Sequence, residues 1–294
     1  MRIHLVDGTY ELFRHHFALP GHLTADGREV GAVRGVVTSM VSMLEDGATH
    51  VGIATDHVIE SFRNDLYAGY KDGSDLDPVI LGQFGLLEDA LEAAGFCVFA
   101  MVGYEADDAL GAAARIAAAD ERVDQVMICT ADKDLGQCVT DDARIVQFDR
   151  RKGHVIDRAG VIEKFGVPPE SIPDYLGLVG DSADGFPGLP GWGAKSAATV
   201  LARYGHIEDI PASPGQWDVA VRGAAKLAKT LQDHMDEALL FRRIATIDYD
   251  APTIGSIDEL QWRGPGSDFA AIAAAIDAPK LAERAARLAA ARGW

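Results

Sequence analysis

The sequence lacks the features that mark several large classes of protein. No apolar run is long enough to cross a membrane, and no positively charged stretch followed by an apolar core opens the chain. We therefore expect neither a membrane protein nor a secretory signal peptide. The three cysteines, Cys97, Cys129 and Cys138, lack the spacing of a metal site. They indicate buried thiols in a reducing compartment, and so a cytoplasmic protein rather than one held by disulfides.

Positive charge is also scarce. There are 27 Lys and Arg residues against 45 Asp and Glu, which gives a net charge of −18, and the span 72–114 contains neither Lys nor Arg. An overall basic footprint for nucleic acid is therefore absent. The positive residues are clustered, however, for example Arg63 with Lys71, and 150–152. The charge balance leaves a nucleic-acid partner possible without indicating one.

The 294 residues, 48% of them hydrophobic, fit one large domain or two modest ones. In the first half, short apolar strands alternate with helices, which predicts the α/β class: a mainly parallel central sheet with helices on both faces. After about residue 165, helices separated by Gly/Pro turns follow. The predicted strands are 2–6, 50–55, 96–100, 124–130 and 143–148. The predicted helices are 30–46, 79–94, 104–120, 170–179, 194–204, 223–241, 267–277 and 279–292.

Carboxylates stand where the predicted strands end and helices begin. Because the carboxyl ends of parallel strands converge on one crevice, we expect these acids to lie close together. So much negative charge needs compensation, and hard oxygen ligands suit Mg²⁺ or Mn²⁺. Each acid alone has an ordinary explanation, such as a turn or a helix start, but their coincidence predicts a metal-dependent enzyme acting on phosphates. The nine acids are Asp7, Asp56, Glu105, Asp107, Asp108, Asp132, Asp134, Asp181 and Asp184.

A glycine- and proline-rich segment, 180–198, follows the helix predicted at 170–179. Its composition predicts a tight hairpin, after which residues 193–196 open a helix. Backbone N–H groups at such a helix start bind phosphate oxygens without reading sequence, and turn carbonyls could hold a monovalent cation. The alternative is a plain corner between two helices. With Asp181 and Asp184 just upstream, we favour a hairpin that binds duplex nucleic acid.

Arg63, Tyr70 and Lys71 follow Asp56 by a short connection. Cations beside a carboxylate site would contact a phosphate and stabilise charge that develops in its transition state. Tyr70 could stack on an unpaired base, although a core tyrosine fits the sequence equally well.

Taken together, the motifs resemble the 5′-nuclease family, which includes flap endonucleases and the 5′-to-3′ exonuclease domain of bacterial DNA polymerase I. The motifs cover roughly residues 3–205 in the family's order, and the resemblance is to a free-standing bacterial form. They are VDGT at Asp7, SFRNDLYAGYK, GYEADD, TADKDL and GDSADGFPGLPGWGAKSA.

The resemblance implies a two-metal nuclease core at 1–168 with a helical arch at about 70–95. It also implies a helical DNA-binding region at 169–294, with a helix–three-turn–helix module at about 175–205 that holds K⁺. All nine acids match metal-binding positions. Lys71, Arg63 and Arg14 match catalytic positive residues. Tyr70, Gly191, Gly193, Lys195 and Ser196 are assigned to DNA binding.

The expected substrate is a DNA flap, nick or 5′-ended duplex, cleaved during replication and repair. The resemblance also implies a monomer that is located in the cytoplasm at the nucleoid. Its expected functional partners are a DNA polymerase or ligase, and no membrane is expected as a partner.

Two departures from the family pattern stand out. Residues 72–74 (DGS) replace an arginine after Lys71, and Gly185 stands where asparagine is frequent. The arch region carries acids without compensating bases, which predicts poor capture of a 5′ strand. These acids are Asp72, Asp75, Asp77, Glu88, Asp89 and Glu92.

Other functions fit parts of the pattern. An RNA-cleaving enzyme of related architecture uses a similar acid cluster, but the hairpin at 185–198 speaks against it. A non-catalytic protein that binds DNA structures would not need the complete acid set. A phosphatase is a poorer match, because Asp7-Gly8-Thr9 lacks the second carboxylate of an aspartyl-phosphate loop.

Overall fold

The structure is a computed structural model that describes residues 1–18 and 20–294. Within those residues no helix combines the length and apolar character needed to cross a bilayer. The strands are β1 (Arg2–Asp7), β2 (His50–Thr55), β3 (Cys97–Ala100), β4 (Gln125–Cys129), β5 (Ile145–Asp149) and β6 (His154–Ile156). The helices are α1 (Gly8–Ala18), α2 (Gly31–Glu45), α3 (Phe62–Leu66), α4 (Pro78–Leu81), α5 (Phe84–Ala93), α6 (Ala106–Ala119), α7 (Arg158–Phe165), α8 (Ile172–Val179), α9 (Ala194–Tyr204), α10 (Ala224–Asp233), α11 (Met235–Ala245), α12 (Phe269–Ala275) and α13 (Lys280–Arg292).

The chain forms two compact units. The first unit consists of Met1–Ile59, Gly73–Thr130 and Tyr249–Trp294, and the second of Glu60–Asp72 and Ala131–Asp248. This division differs from the predicted boundary between residues 168 and 169, because each unit takes in segments from distant parts of the chain.

The first unit is built on four parallel strands in the order β3-β2-β1-β4. Leu5 lies opposite Gly52 of β2 and Ile128 of β4. Every residue of β2 is buried, which requires cover on both faces of the sheet. Helix α6 packs on β1, β2 and β4, while α5 packs on β3 and α2. The predicted α/β class with a mainly parallel sheet is confirmed.

The helix predicted at 79–94 is interrupted, which changes the segment expected to form an arch. It divides into α4 and α5 at Gln83, whose side-chain oxygen accepts a hydrogen bond from Val33 N at 3.3 Å. Leu87 and Leu91 of α5 are fully buried. Helix α5 is therefore a core helix of the first unit, and the helical arch at about 70–95 stays a prediction.

The C-terminal segment belongs to the first unit through specific contacts. Trp262 is buried and its Nε1 donates to the carbonyl of Ala94 at 2.8 Å. Arg284 on α13 pairs with Glu45 at the end of α2 at 2.6 Å. These contacts explain why residues from 249 onward do not group with the other C-terminal helices.

The second unit is mainly helical. Helix α8 packs against α9 and α11 in its core. Strands β5 and β6 pair in antiparallel fashion, with Phe148 opposite Val155. Strand β6 and helix α7 were not predicted, and the helix predicted at 223–241 is two helices that meet at His234.

Candidate active site

Three carboxylates of the second unit converge. One oxygen each from Asp134, Asp181 and Asp184 lie within 4.8 Å of one another. We call these residues the three-acid cluster. Asp134 and Asp181 are buried, and Asp184 is half-buried. Such a set of oxygens matches the ligands that hard divalent cations prefer.

Asp134 is positioned by a turn at the start of a short 3₁₀ helix. Its backbone N–H donates to Oδ1 of Asp132 at 2.9 Å, and a short 3₁₀ helix begins there. Asp132 thus turns the chain with one carboxylate oxygen, after the strand has ended at Cys129.

Asp181 and Asp184 lie on a tight hairpin after α8. The backbones of Asp181 and Phe186 exchange two hydrogen bonds of 2.8 and 3.0 Å, and Oδ1 of Asp181 accepts from Ala183 N. Gly185 has a positive φ of 86°, and a Cβ there would lie 2.2 Å from the carbonyl oxygen of Gly69. A side chain at position 185 would therefore collide with the segment that carries Lys71, so the asparagine that is frequent in the family does not fit here.

Two lysines contact the three-acid cluster. Nζ of Lys71 lies 2.9 Å from Oδ1 of Asp184, and Nζ of Lys133 lies 2.5 Å from Oδ2 of Asp181. Lys133 was missed as a site residue, although it stands between Asp132 and Asp134, two of the predicted metal-binding acids. The backbone of Lys71 also donates to the carbonyl of Asp184 at 3.0 Å.

Within the three-acid cluster, the negative charge at Asp134 is the least compensated by positive groups. Burial raises the pKa of Asp134 well above its usual range, and the charges of Asp132, Asp184 and Asp181 raise it further. Its Oδ1 is buried and accepts no hydrogen bond from any residue that the structure describes. The pKa of Lys133 is raised: burial acts in the opposite direction, but the hydrogen bond to Asp181 and the nearby acids outweigh it.

These observations fit a divalent cation. A buried carboxylate oxygen without a partner is costly unless something positive contacts it. Asp134, Asp181 and Asp184 would supply the ligands, and the raised pKa of Asp134 indicates a site with more negative charge than the protein itself neutralises.

The first unit holds the other acids where its strands end. Asp7 closes β1; its Oδ1 accepts from Tyr10 N at 2.8 Å and its Oδ2 from Oγ1 of Thr130 at 2.9 Å. Asp56 follows β2, and its Oδ1 accepts from Ala106 N at 2.9 Å. Asp56 therefore joins the end of β2 to the start of α6.

Glu105 and Asp108 form a capping box at the start of α6. The backbone N–H of Glu105 donates to Oδ2 of Asp108 at 3.0 Å, and both side chains are buried. Asp107, between them, is less buried. Asp56, Glu105 and Asp108 thus meet at one helix N-terminus, as the sequence pattern predicts.

The predicted positive and aromatic residues have different surroundings. Arg63 is only 2% exposed, and it donates from Nε to the carbonyl of Ile244 at 2.7 Å and from Nη2 to that of Thr246 at 3.0 Å. It thereby stabilises the C-terminal end of α11, and its catalytic role stays a prediction. Tyr70 is 5% exposed within the core of the second unit, so it is the core tyrosine that the sequence left open.

Arg14 lies on α1 and pairs with the buried Glu11, one turn earlier on the same helix. The structure places this pair in the first unit, and a role for Arg14 in catalysis stays a prediction.

The hairpin before α9 exposes backbone and a positive side chain. Gly191 has a φ of 85°, and a Cβ on either Gly191 or Gly193 would meet no atom within 4 Å. Oγ of Ser196 accepts from Gly193 N and donates to its carbonyl, both at 3.0 Å. Lys195 is exposed at the first turn of α9. This arrangement leaves an open helix start of the kind that binds phosphate.

Family models match both parts of the chain. The model described as 5′-3′ exonuclease, N-terminal resolvase-like domain, matches residues 2–166, and the one described as 5′-3′ exonuclease, C-terminal SAM fold, matches residues 167–268.

Similar proteins include much longer chains. DNA polymerase I of Pseudomonas aeruginosa is 35% identical over 266 residues, which is 87% of this chain and 28% of that protein. DNA polymerase I of Bacillus subtilis is also 35% identical over 266 residues, which is 88% of this chain and 29% of the relative. The chain thus spans less than a third of the length of these relatives.

Solved structures share the fold. The T5 D15 protein co-crystallised with metal ions has a TM-score of 0.63 at 21% identity, covering 98% of this chain and 100% of that one. The catalytic core of Rad2 in complex with DNA substrate has a TM-score of 0.61 at 15% identity, covering 98% of this chain and 92% of that one.

Proposed function

Because the chain belongs to the 5′-3′ exonuclease family, we propose that it is a divalent-metal-dependent 5′ nuclease that hydrolyses DNA phosphodiesters near 5′ ends or flap junctions. The observation that carries this proposal is the three-acid cluster with the unpartnered buried oxygen of Asp134. A pocket of carboxylates that lacks sufficient positive charge suits a reaction on phosphate, since bound cations attract the anionic substrate.

The proposed metal is Mg²⁺ or Mn²⁺. Asp134, Asp181 and Asp184 would hold an ion in the second unit. Bound divalent cations in such sites lower the pKa of an attacking water and stabilise the leaving oxygen. The sequence motifs assign the remaining acids of the nine to the same metal-dependent reaction.

Lys71 is proposed to steady the phosphate that reacts. Its ammonium is already 2.9 Å from Asp184, and its backbone is fixed to the same residue. A cation held at this position can stabilise negative charge that develops on phosphate oxygens. Arg14 and Arg63 are proposed to assist on the basis of the motifs alone.

DNA is the proposed substrate. Relatives are named DNA polymerase I, and Rad2 was solved with a DNA substrate. The open hairpin at Gly191 and Gly193, followed by Lys195, supports backbone contacts to a duplex, and its carbonyls are proposed to hold K⁺. We further propose that the protein acts as a monomer in the cytoplasm at the nucleoid, beside a DNA polymerase or ligase.

The test compares the wild type with Asp134→Asn on 5′-labelled flap, nicked and blunt DNA duplexes, with Mg²⁺, Mn²⁺ or EDTA. Asp233→Asn is the matched control, since Asp233 is an acid of the same unit on the surface and pairs with Lys229. We expect Asp134→Asn to lower the cleavage rate more than about 100-fold, beyond the effect of a residue that only supports a metal ligand.

Duplex binding by Asp134→Asn, measured by fluorescence anisotropy in Ca²⁺, should stay near that of the wild type. Cleavage by Asp134→Asn at the wild-type rate would contradict the metal-binding role. Faster cleavage of matched RNA strands than of DNA would favour the RNA-cleaving alternative, and binding without any cleavage would favour the non-catalytic one.

A further inference from the structure

The two lysines at the three-acid cluster are held in different ways. Lys71 is fixed through its backbone, which donates to the carbonyl of Asp184 at 3.0 Å and accepts from Nδ2 of Asn64 at 3.0 Å. Its ammonium also lies 5.5 Å from the centre of the Tyr70 ring. Several groups therefore keep Lys71 in place beside Asp184.

Lys133 lies in the turn that positions the cluster. It stands between Asp132 and Asp134, and its carbonyl accepts the first hydrogen bond of the 3₁₀ helix, from Gly136 N at 3.0 Å. Its side chain reaches Asp181 with an Nζ–Oδ2 distance of 2.5 Å. The lysine side chain is 34% exposed while that of Asp181 is 6% exposed, so the ammonium covers a buried carboxylate from the solvent side.

Oδ1 of Asp181 already accepts a hydrogen bond from Ala183 N, so a divalent cation on the three-acid cluster would compete with Lys133 for Oδ2. The backbone that fixes Asp134 and Asp181 does not depend on the Lys133 ammonium, because Asp132 and Ala183 supply the hydrogen bonds of their turns. The flexible four-carbon stem of lysine lets the ammonium move away while both turns stay formed.

We propose that Lys133 is a displaceable internal counter-ion, which occupies Asp181 when no divalent cation is bound and leaves that carboxylate when one binds. Lys133 therefore competes with the metal and lowers its affinity for the free protein. This inference rests on the proposed function, because it concerns the metal site of the same reaction. The displaced ammonium stays near the cluster and can pair with a phosphate oxygen of the substrate.

The test measures Mn²⁺ binding to the 294-residue protein by isothermal titration calorimetry without DNA. Lys133→Met removes the charge and keeps the length of the side chain, whereas Lys133→Arg keeps the charge. Lys229→Met is the matched control: it removes one positive charge from the same unit, at an exposed lysine that pairs with Asp233 at 2.8 Å.

We expect the Mn²⁺ dissociation constant to fall about tenfold in Lys133→Met, because a unit charge next to the site opposes the ion. Lys133→Arg and Lys229→Met should stay near the wild type. Equal or weaker binding by Lys133→Met would overturn the inference and leave the proposed function standing. No binding to either the wild type or Lys133→Met would overturn both.

A second measurement uses only the wild type and so does not depend on whether a variant folds. Lysine acylation followed by peptide mass spectrometry should show that Lys133 reacts faster when Mn²⁺ is present, while Lys229 reacts at the same rate. An unchanged or lower rate at Lys133 under saturating Mn²⁺ would contradict displacement of its ammonium.

Discussion

The acids of the first unit and those of the second unit are stabilised in opposite ways. In the first unit, Asp7, Asp56 and Asp108 accept hydrogen bonds from the backbone or from a threonine hydroxyl. In the second unit, Asp181 and Asp184 each pair with a lysine ammonium group, and Oδ1 of Asp134 accepts no hydrogen bond from the residues described.

The difference teaches that the same residue type serves two purposes in one protein. The bonded acids of the first unit contribute to folding, because each satisfies donors at a strand end or a helix start. Asp134 does the reverse: burial and three neighbouring acids raise its pKa well above normal, so its ionised form weakens the fold. A strongly perturbed pKa that results from burial and neighbouring charges is typical of functional sites.

The largest expected effect is the stabilisation of the folded protein by a divalent cation, which should depend on Asp134 of the second unit. Mn²⁺ at about 100 times its dissociation constant should stabilise the wild type by about 2.7 kcal/mol, because it binds only the folded protein. Asp134→Asn should lose most of this gain, and the surface control Asp233→Asn should retain it. Urea unfolding with Mn²⁺ and with EDTA measures the difference. An equal gain in Asp134→Asn would show that this acid does not hold the ion.

Substitution in the first unit should cost stability even without metal. Asp108→Ala removes the carboxylate that caps Glu105 N inside the protein, and we expect a loss of about 2 kcal/mol in the free energy of unfolding. Asp107→Ala, at the less buried neighbouring position, is the control and should cost less than about 0.5 kcal/mol. Urea unfolding in EDTA measures both, and equal losses would remove the distinction drawn for Asp108.

The positions of several acids relative to the strands and helices could be predicted from the sequence, because the end of an apolar run marks the end of a strand. Asp7 and Asp56 follow runs of buried residues, and Glu105 precedes an alanine-rich helix, so the edge of the sheet could be inferred from local pattern alone. Helix α9 was predicted with its observed bounds, because Gly193 and Ser196 supply a recognisable start.

Contacts between distant residues could not be read in the same way. Gln83, at the break between α4 and α5, accepts a hydrogen bond from Val33 N, fifty positions away. The attachment of the C-terminal segment depends on Trp262 reaching Ala94. The pairing of Lys133 with Asp181 belongs to the same class, since both acid and base are ordinary at their own positions.

Substitution of Asp134 should increase stability, in contrast to the loss expected for Asp108→Ala, and the change should be smaller. In EDTA, Asp134→Asn should raise the free energy of unfolding by about 1 kcal/mol, because it removes a buried charge among like charges and keeps the shape. Asp184→Asn is the comparison within the cluster, and it should bring no gain, since it weakens the pair with Lys71. A loss of stability in Asp134→Asn would mean that the carboxylate is satisfied after all.

The smallest expected effect is on the pH dependence of stability, and it concerns Asp174, another buried acid of the second unit. Asp174 is buried, like Asp134, but both of its carboxylate oxygens are bonded: it accepts from Ile207 N and from Arg242, and its Oδ2 lies 2.9 Å from Nδ1 of His206.

The hydrogen bond to Asp174 raises the pKa of His206 above its ordinary value of 6.5, so protonation of this histidine favours the folded state. That contribution is complete below pH 6.5 and is lost as the pH rises through the higher pKa of the folded protein. His206 is half exposed, so solvent keeps the effect to a fraction of about 1 kcal/mol.

His206→Gln should flatten the fall in stability above pH 6.5, whereas His154→Gln on the exposed strand β6 should not. An identical pH profile in wild type and His206→Gln would show that Asp174 is satisfied without a charged histidine, and the contrast between Asp174 and Asp134 would then rest on Arg242 and the backbone.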